Sequence, residues 1–174
     1  ASPLITATYV QLYPTVQFTT INNCFPIRYL QLQVVPAENT VLKLFWFSQF
    51  IGKKRGLETV VEAIGLTGVH NIQLTLLGNC TDDMRLYFHA LAKANGLQEQ
   101  QLQFVPAVAE QQISAIAASH HLGLACEVPH ILNREICLTN KIFMYLLAGN
   151  AILFSNTKAQ QHFYKNYPDT GFIY

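Results

Sequence analysis

Cys137-Leu-Thr-Asn-Lys-Ile-Phe-Met-Tyr-Leu-Leu-Ala-Gly-Asn-Ala-Ile-Leu-Phe-Ser155 reads as a polar turn, a short apolar helix, a glycine stop and a buried strand. Thr139 or Asn140 can cap the helix, because a short side-chain oxygen accepts a hydrogen bond from the unpaired N–H groups of the first turn. Ile142, Tyr145, Leu146 and Gly149 recur at spacings of three and four, which buries one face. Gly149 stops the helix where a left-handed residue costs least. The run Ala151-Ile-Leu-Phe154 then has the continuous apolar character of a parallel strand covered on both faces. Asn140 and Lys141 stand beside free backbone N–H groups at the helix start, which is the chemistry of an anion site. A capped core helix with one solvated lysine accounts for the same residues.

The alternation of strand and helix extends in both directions from this stretch. Upstream, strands are expected at 41–47, 72–77, 102–105 and 122–126, with helices at 55–64, from the cap Thr81 to Asn95-Gly96, and at 110–118. Downstream, a helix over 157–164 precedes a strand at 171–174. Such alternation indicates an α/β domain, a Rossmann-like parallel sheet with helices on both faces. Ligands of these sheets bind beyond the carboxyl ends of the strands. The loops that matter are therefore 48–56, 78–81, 105–109, 127–138 and 155–157. At the amino end, Ser2-Pro3 starts a short helix running to about Leu12, Val16-Gln-Phe-Thr-Thr-Ile21 alternates like a half-buried strand, and Val35-Pro36-Ala-Glu-Asn39 has the composition of a linker.

Bulk properties narrow the function. Of 174 residues, 51% are hydrophobic and only 12% charged, which excludes a disordered chain. The net charge of +1 gives no field to steer nucleic acid, although phosphate binding needs only a few local donors. No apolar run reaches the length of roughly 18 residues that a membrane span requires. The four cysteines lack metal spacing, and Cys80 and Cys126, each following an apolar run, read as small buried hydrophobes in a reducing compartment. His120-His121 fall at a helix end, where positive charge meets the helix dipole favourably.

The segment Thr139-Asn-Lys-Ile-Phe-Met-Tyr-Leu-Leu-Ala-Gly149 resembles the "PNK-(L/I)-F-E-Y-(L/M)-A-A-G" signature of bacterial glycosyltransferases with the two-Rossmann GT-B architecture. Ser48-Gln-Phe-Ile-Gly-Lys-Lys-Arg-Gly56 is similar to that family's diphosphate loop, and Arg55-Gly-Leu-Glu58 is the firmer part of the match. The resemblance implies the donor-binding, C-terminal half of a GT-B enzyme of the retaining group. Residues 1–40 would be the end of an N-terminal domain with the interdomain crossover. Residues 41–174 would be the nucleotide-sugar domain, cut short at its C-terminus. The implied activity is transfer of a sugar from a nucleoside-diphosphate donor to a saccharide or lipid-linked acceptor, in cell-surface polysaccharide synthesis. The implied location is the cytoplasm, at the inner face of the membrane if the full-length protein associates with it. No cofactor or metal is implied, because helix N-termini and cations neutralise the leaving diphosphate. The acceptor site and any catalytic base would lie on the N-terminal domain, leaving this chain inactive alone.

The resemblance assigns Lys54, Arg55, Thr139, Asn140 and Lys141 to the diphosphate. It places Glu127, Asn133 and Glu135 at the donor sugar, and Val105 and Pro106 at the base. One departure stands out. Where the family carries a ribose-binding glutamate this chain has Met144, which cannot accept a ribose hydroxyl. A relative that has lost donor binding, a sugar-nucleotide epimerase of the same fold, and an unrelated flavodoxin-like binding module are the alternatives.

Overall fold

The computed structural model describes residues 2–31 and 41–174. Six strands form one parallel sheet: β1 (Leu42–Phe50), β2 (Ile72–Asn79), β3 (Leu102–Val105), β4 (Leu122–Ala125), β5 (Ala151–Phe154) and β6 (Gly171–Ile173). Their order is β3-β2-β1-β4-β5-β6. The chain thus winds outward from β1 on one side and from β4 on the other, and the direction reverses between those two strands. That reversal opens a crevice at their carboxyl ends.

Helices α2 (Leu57–Thr67) and α3 (Asp82–Ala94) cover one face, and α4 (Glu110–Ala117), α6 (Asn140–Ala148) and α7 (Lys158–Asn166) the other. The pleat of β1 sorts its side chains between two cores. Leu44 and Trp46 join Leu57, Val61 and Phe88 on the first face, while Phe45 and Phe47 pack with Ile142, Tyr145 and Phe154 on the second. Helix starts are fixed by side-chain caps at Ser2, whose Oγ accepts from the Ile5 N–H at 3.3 Å, and at two further places. Thr81 Oγ1 accepts from the Met84 N–H at 3.3 Å, and Thr157 Oγ1 from the Gln160 N–H at 3.4 Å. Among the described residues no helix is long and apolar enough to cross a membrane.

The structure revises several local expectations. Val16-Gln-Phe-Thr-Thr-Ile21 forms no strand; among the described residues no strand pairs with it, and Val16 and Ile21 are exposed. It follows α1 (Pro3–Leu12), which Ser2 ties to the rest of the domain by donating its hydroxyl to the Ile136 carbonyl. Strand β1 runs three residues beyond Phe47, because Ile51 N–H continues the ladder to the Asn79 carbonyl at 2.8 Å. Helix α2 starts at Leu57 and not at Arg55, since Gly56 is left-handed. The expected loop over 127–138 contains a one-turn helix, α5 (Leu132–Ile136). Leu146, assigned to the buried face of α6, is exposed, and that face instead carries Lys141, Ile142, Met144, Tyr145 and Ala148. His120 is a core residue and not an exposed helix terminus: its ring bonds the Ile116 carbonyl and Thr75 Oγ1 and lies on Phe45. The linker expected around Val35-Pro36 lies outside the described residues.

A candidate anion-binding site at the sheet reversal

Residues 51–56 leave β1 in a turn with two left-handed residues, Lys54 (φ 58) and Gly56 (φ 80). The Lys54 N–H donates to Glu58 Oε1 at 2.9 Å, so the left-handed Lys54 is anchored to the start of α2. Gly56 then lies against Cys126, just past the end of β4. This contact carries Arg55 to the mouth of the crevice, where its Nη2 donates to Ser48 Oγ at 3.4 Å.

Glu127 follows Cys126 and is the centre of the site. Its N–H donates to Ser155 Oγ at 2.7 Å, which fixes the backbone beside β5. Its side chain is only 3% exposed. One carboxylate oxygen, Oε2, accepts from Arg134 Nη1 on α5; the other, Oε1, accepts from Lys141 Nζ on α6 at 3.4 Å. The Lys141 ammonium also sits 5.2 Å from the centre of the Trp46 ring, above the sole tryptophan of the chain.

Burial pushes the Lys141 ammonium below the ordinary lysine range. Glu127 opposes that shift, and the guanidinium of Arg55 adds to it by like-charge repulsion. Arg134 and Lys141 thus hold one carboxylate, Arg55 acts on Lys141 from the turn after β1, and these three cations exceed the single anion by two charges. The unpaired N–H groups at the start of α6 lie next to it. A compact group with two negative charges balances such a site, and a diphosphate has that charge and can take bidentate bonds from guanidinium groups.

Beside the ion cluster a cavity of about 170 Å³ is lined by Glu127, Asn133, Arg134, Cys137 and Thr139. Thr139 occupies the N-cap of α6, but its hydroxyl makes no capping bond, contrary to the expectation from sequence. Thr139 Oγ1 is buried without a hydrogen-bond partner.

The structure therefore draws Arg55, Glu127, Asn133, Thr139 and Lys141 together, and adds Arg134. In the sequence Arg134 belongs only to the polar triplet Asn133-Arg134-Glu135; its position seven residues after Glu127 was the available signal. Other predicted residues have different surroundings. Lys54 is exposed on the rim. Asn140, also exposed, accepts from Asn23 through its side-chain oxygen. The Glu135 carboxylate accepts the Lys158 N–H at the start of α7, at 3.3 Å. Val105 and Pro106 end β3, two strands along the sheet from β1, half-buried and exposed respectively. Met144 is fully buried. Among the described residues, no cluster of three or more His, Cys, Asp or Glu side chains could hold a metal ion.

No family model and no curated protein matches the sequence. Solved structures do. The chain is similar to WaaG, a glycosyltransferase involved in lipopolysaccharide biosynthesis, at 15% identity and a TM-score of 0.70, over 99% of this chain and 47% of that one. It is similar to Anabaena Alr3699/HepE in complex with UDP-glucose at 16% identity and a TM-score of 0.66, over 90% and 44%. The C-terminal domain of the glycosyl transferase group 1 family protein LpcC from Francisella tularensis matches at 14% identity and a TM-score of 0.54, over 82% and 77%. The chain has the Rossmann-like fold of the C-terminal domain of GT-B glycosyltransferases. It spans less than half the length of the WaaG and HepE chains.

Proposed function

We propose that this domain binds the nucleoside-diphosphate sugar of a glycosyltransferase, with the diphosphate at the reversal between β1 and β4. The observation that carries this reading is the ion cluster, in which Arg134 and Lys141 share the carboxylate of Glu127 and Arg55 stands close enough to repel the Lys141 ammonium. In the transferase reaction the bond from the anomeric carbon to the diphosphate breaks, and negative charge grows on the leaving phosphate. Prepositioned cations and helix N–H groups stabilise that charge as it develops, with no rearrangement at the moment of reaction. Arg55 and Lys141 hold the diphosphate, assisted by Lys54 from the rim and by the Thr139–Asn140 start of α6. The sugar enters the cavity beside Asn133 and Thr139, and the base lies toward Val105 and Pro106. The acceptor is a saccharide or lipid-linked sugar, in the synthesis of a cell-surface polysaccharide at the cytoplasmic side of a membrane. Similarity to structures that hold UDP-glucose, or are described for lipopolysaccharide biosynthesis, supports this assignment.

A second reading keeps the fold and discards the donor. Met144 has no exposed surface, so no acidic side chain at that position meets a ribose. Calorimetric titration with UDP, GDP, ADP and CMP separates the two. One nucleotide binding in the micromolar range, weakened by Arg55→Ala and by Lys141→Ala, supports the donor site and names the base. Absence of binding by any of the four, also in a longer chain that includes a second domain, supports the non-catalytic reading.

A further inference from the structure

We infer that Glu127 is a positioning residue: its buried carboxylate, held by Arg134 on one oxygen and Lys141 on the other, keeps the Lys141 ammonium charged and fixed at the start of α6. This inference rests on the anion-site reading and gives one of its residues a different task from the one the resemblance implies.

Geometry carries it. The Glu127 side chain is 3% exposed, and each of its oxygens already accepts a charge-assisted bond from a cation. Its backbone is also fixed, by the N–H bond to Ser155 Oγ. Glu127 is therefore held from both ends and directed at two cations. The groups that face Lys141 come from four elements. They are Arg55 from the turn after β1, Trp46 from β1, Cys126 and Glu127 at the end of β4, and Arg134 through Glu127 from α5. Glu127 is the carboxylate among them. Without it, a lysine buried beside a guanidinium favours its neutral form, and a neutral amine contributes nothing to a leaving diphosphate.

Burial alone could produce a carboxylate that merely glues α5 and α6 to β4. The two roles differ in what pH does. In the ligand-free protein, the Lys141 ammonium is followed by ¹³Cε NMR titration, with its signal assigned from Lys141→Arg. Glu127→Gln, which preserves shape and removes charge, is expected to lower the Lys141 midpoint by about one to three pH units. Arg134→Gln, at a partly exposed position, is expected to raise it, because Glu127 then serves Lys141 alone. Pyrophosphate titration, read by Trp46 fluorescence, supplies the second arm. In Glu127→Gln the affinity falls about tenfold per pH unit above the new Lys141 midpoint. The wild type at each pH is the reference, so that the ionisation of pyrophosphate itself cancels. The double variant Glu127→Gln/Lys141→Arg runs parallel to the wild type again, because a guanidinium does not lose its proton.

An unchanged Lys141 midpoint in Glu127→Gln overturns the inference, as does a loss of affinity by the same factor at every pH. Should Glu127→Gln fail to fold, an unmoved midpoint in Arg134→Gln overturns it equally. If the wild type binds neither pyrophosphate nor any nucleoside diphosphate, the donor reading fails, while the ligand-free titration still decides what Glu127 does.

Discussion

Gly56 and Cys126 touch across the reversal of the sheet: a Cβ built on Gly56 would lie 3.0 Å from the Cβ of Cys126. The turn after β1 can therefore close onto the end of β4 only because residue 56 has no side chain and accepts φ 80. The same contact brings Arg55 within electrostatic reach of Lys141. Packing at one glycine thus sets the charge geometry of the site.

Gly56→Ala is expected to lose about 1–2 kcal/mol of stability from the left-handed conformation alone, with the crowding against Cys126 added to it. Urea unfolding measures the loss. The same variant should bind pyrophosphate more weakly, since relief of the contact displaces Arg55.

Thr139→Val separates a cap from a ligand contact. The Thr139 hydroxyl is buried and makes no bond among the described residues, so its replacement by a methyl group should leave stability unchanged or raise it. An ordinary threonine cap costs about 1 kcal/mol to remove. Weaker binding of a nucleotide sugar with no loss of stability is the expected outcome, checked by urea unfolding and calorimetry on one preparation.

His120 makes stability depend on acid. Burial lowers its pKa below the usual 6.5, with Lys43 and His121 acting the same way against the bond to the Ile116 carbonyl. Below about pH 6.5 the unfolded chain takes up this proton first, so the native state is favoured fully above that pH and loses stability as the pH falls. Between about pH 7.5 and 5 the wild type should lose more stability than His120→Gln. Denaturant midpoints at the two pH values give the comparison.

Met144→Glu restores the residue type found in the family signature, but at a position with no exposed surface. An unpaired carboxylate there should destabilise the domain by on the order of 3 kcal/mol. It should not improve nucleotide binding. A thermal melt and a titration together decide, and a stable variant with tighter binding would show that position 144 reaches the crevice.

The sheet was legible because its strands are short apolar runs separated by amphipathic helices with recognisable ends, such as Thr81, Thr157 and Gly149. Periodicity failed where the partner is a helix and not a strand. Val16 to Ile21 alternates properly, yet Phe18 and Thr20 lie against Tyr9 and Thr6 of α1 while Val16 and Ile21 meet solvent. Of the site, Arg55 and Lys141 were visible from their places at helix starts. The role of Glu127 was not, because it depends on side chains seven and fourteen residues away that reach it only after α5 and α6 have packed. Thr139 shows the opposite error: its residue type and position promise a cap, while its hydroxyl is buried without any partner.

The most direct measurement is calorimetric titration of the domain with pyrophosphate at low ionic strength, for the wild type, Arg55→Gln and Lys141→Met. Loss of a charge-assisted contact costs about 1.5–3 kcal/mol, so each substitution should weaken binding roughly 10- to 150-fold. A wild-type domain that binds pyrophosphate no better than the two variants would contradict the assignment of this crevice as a diphosphate site.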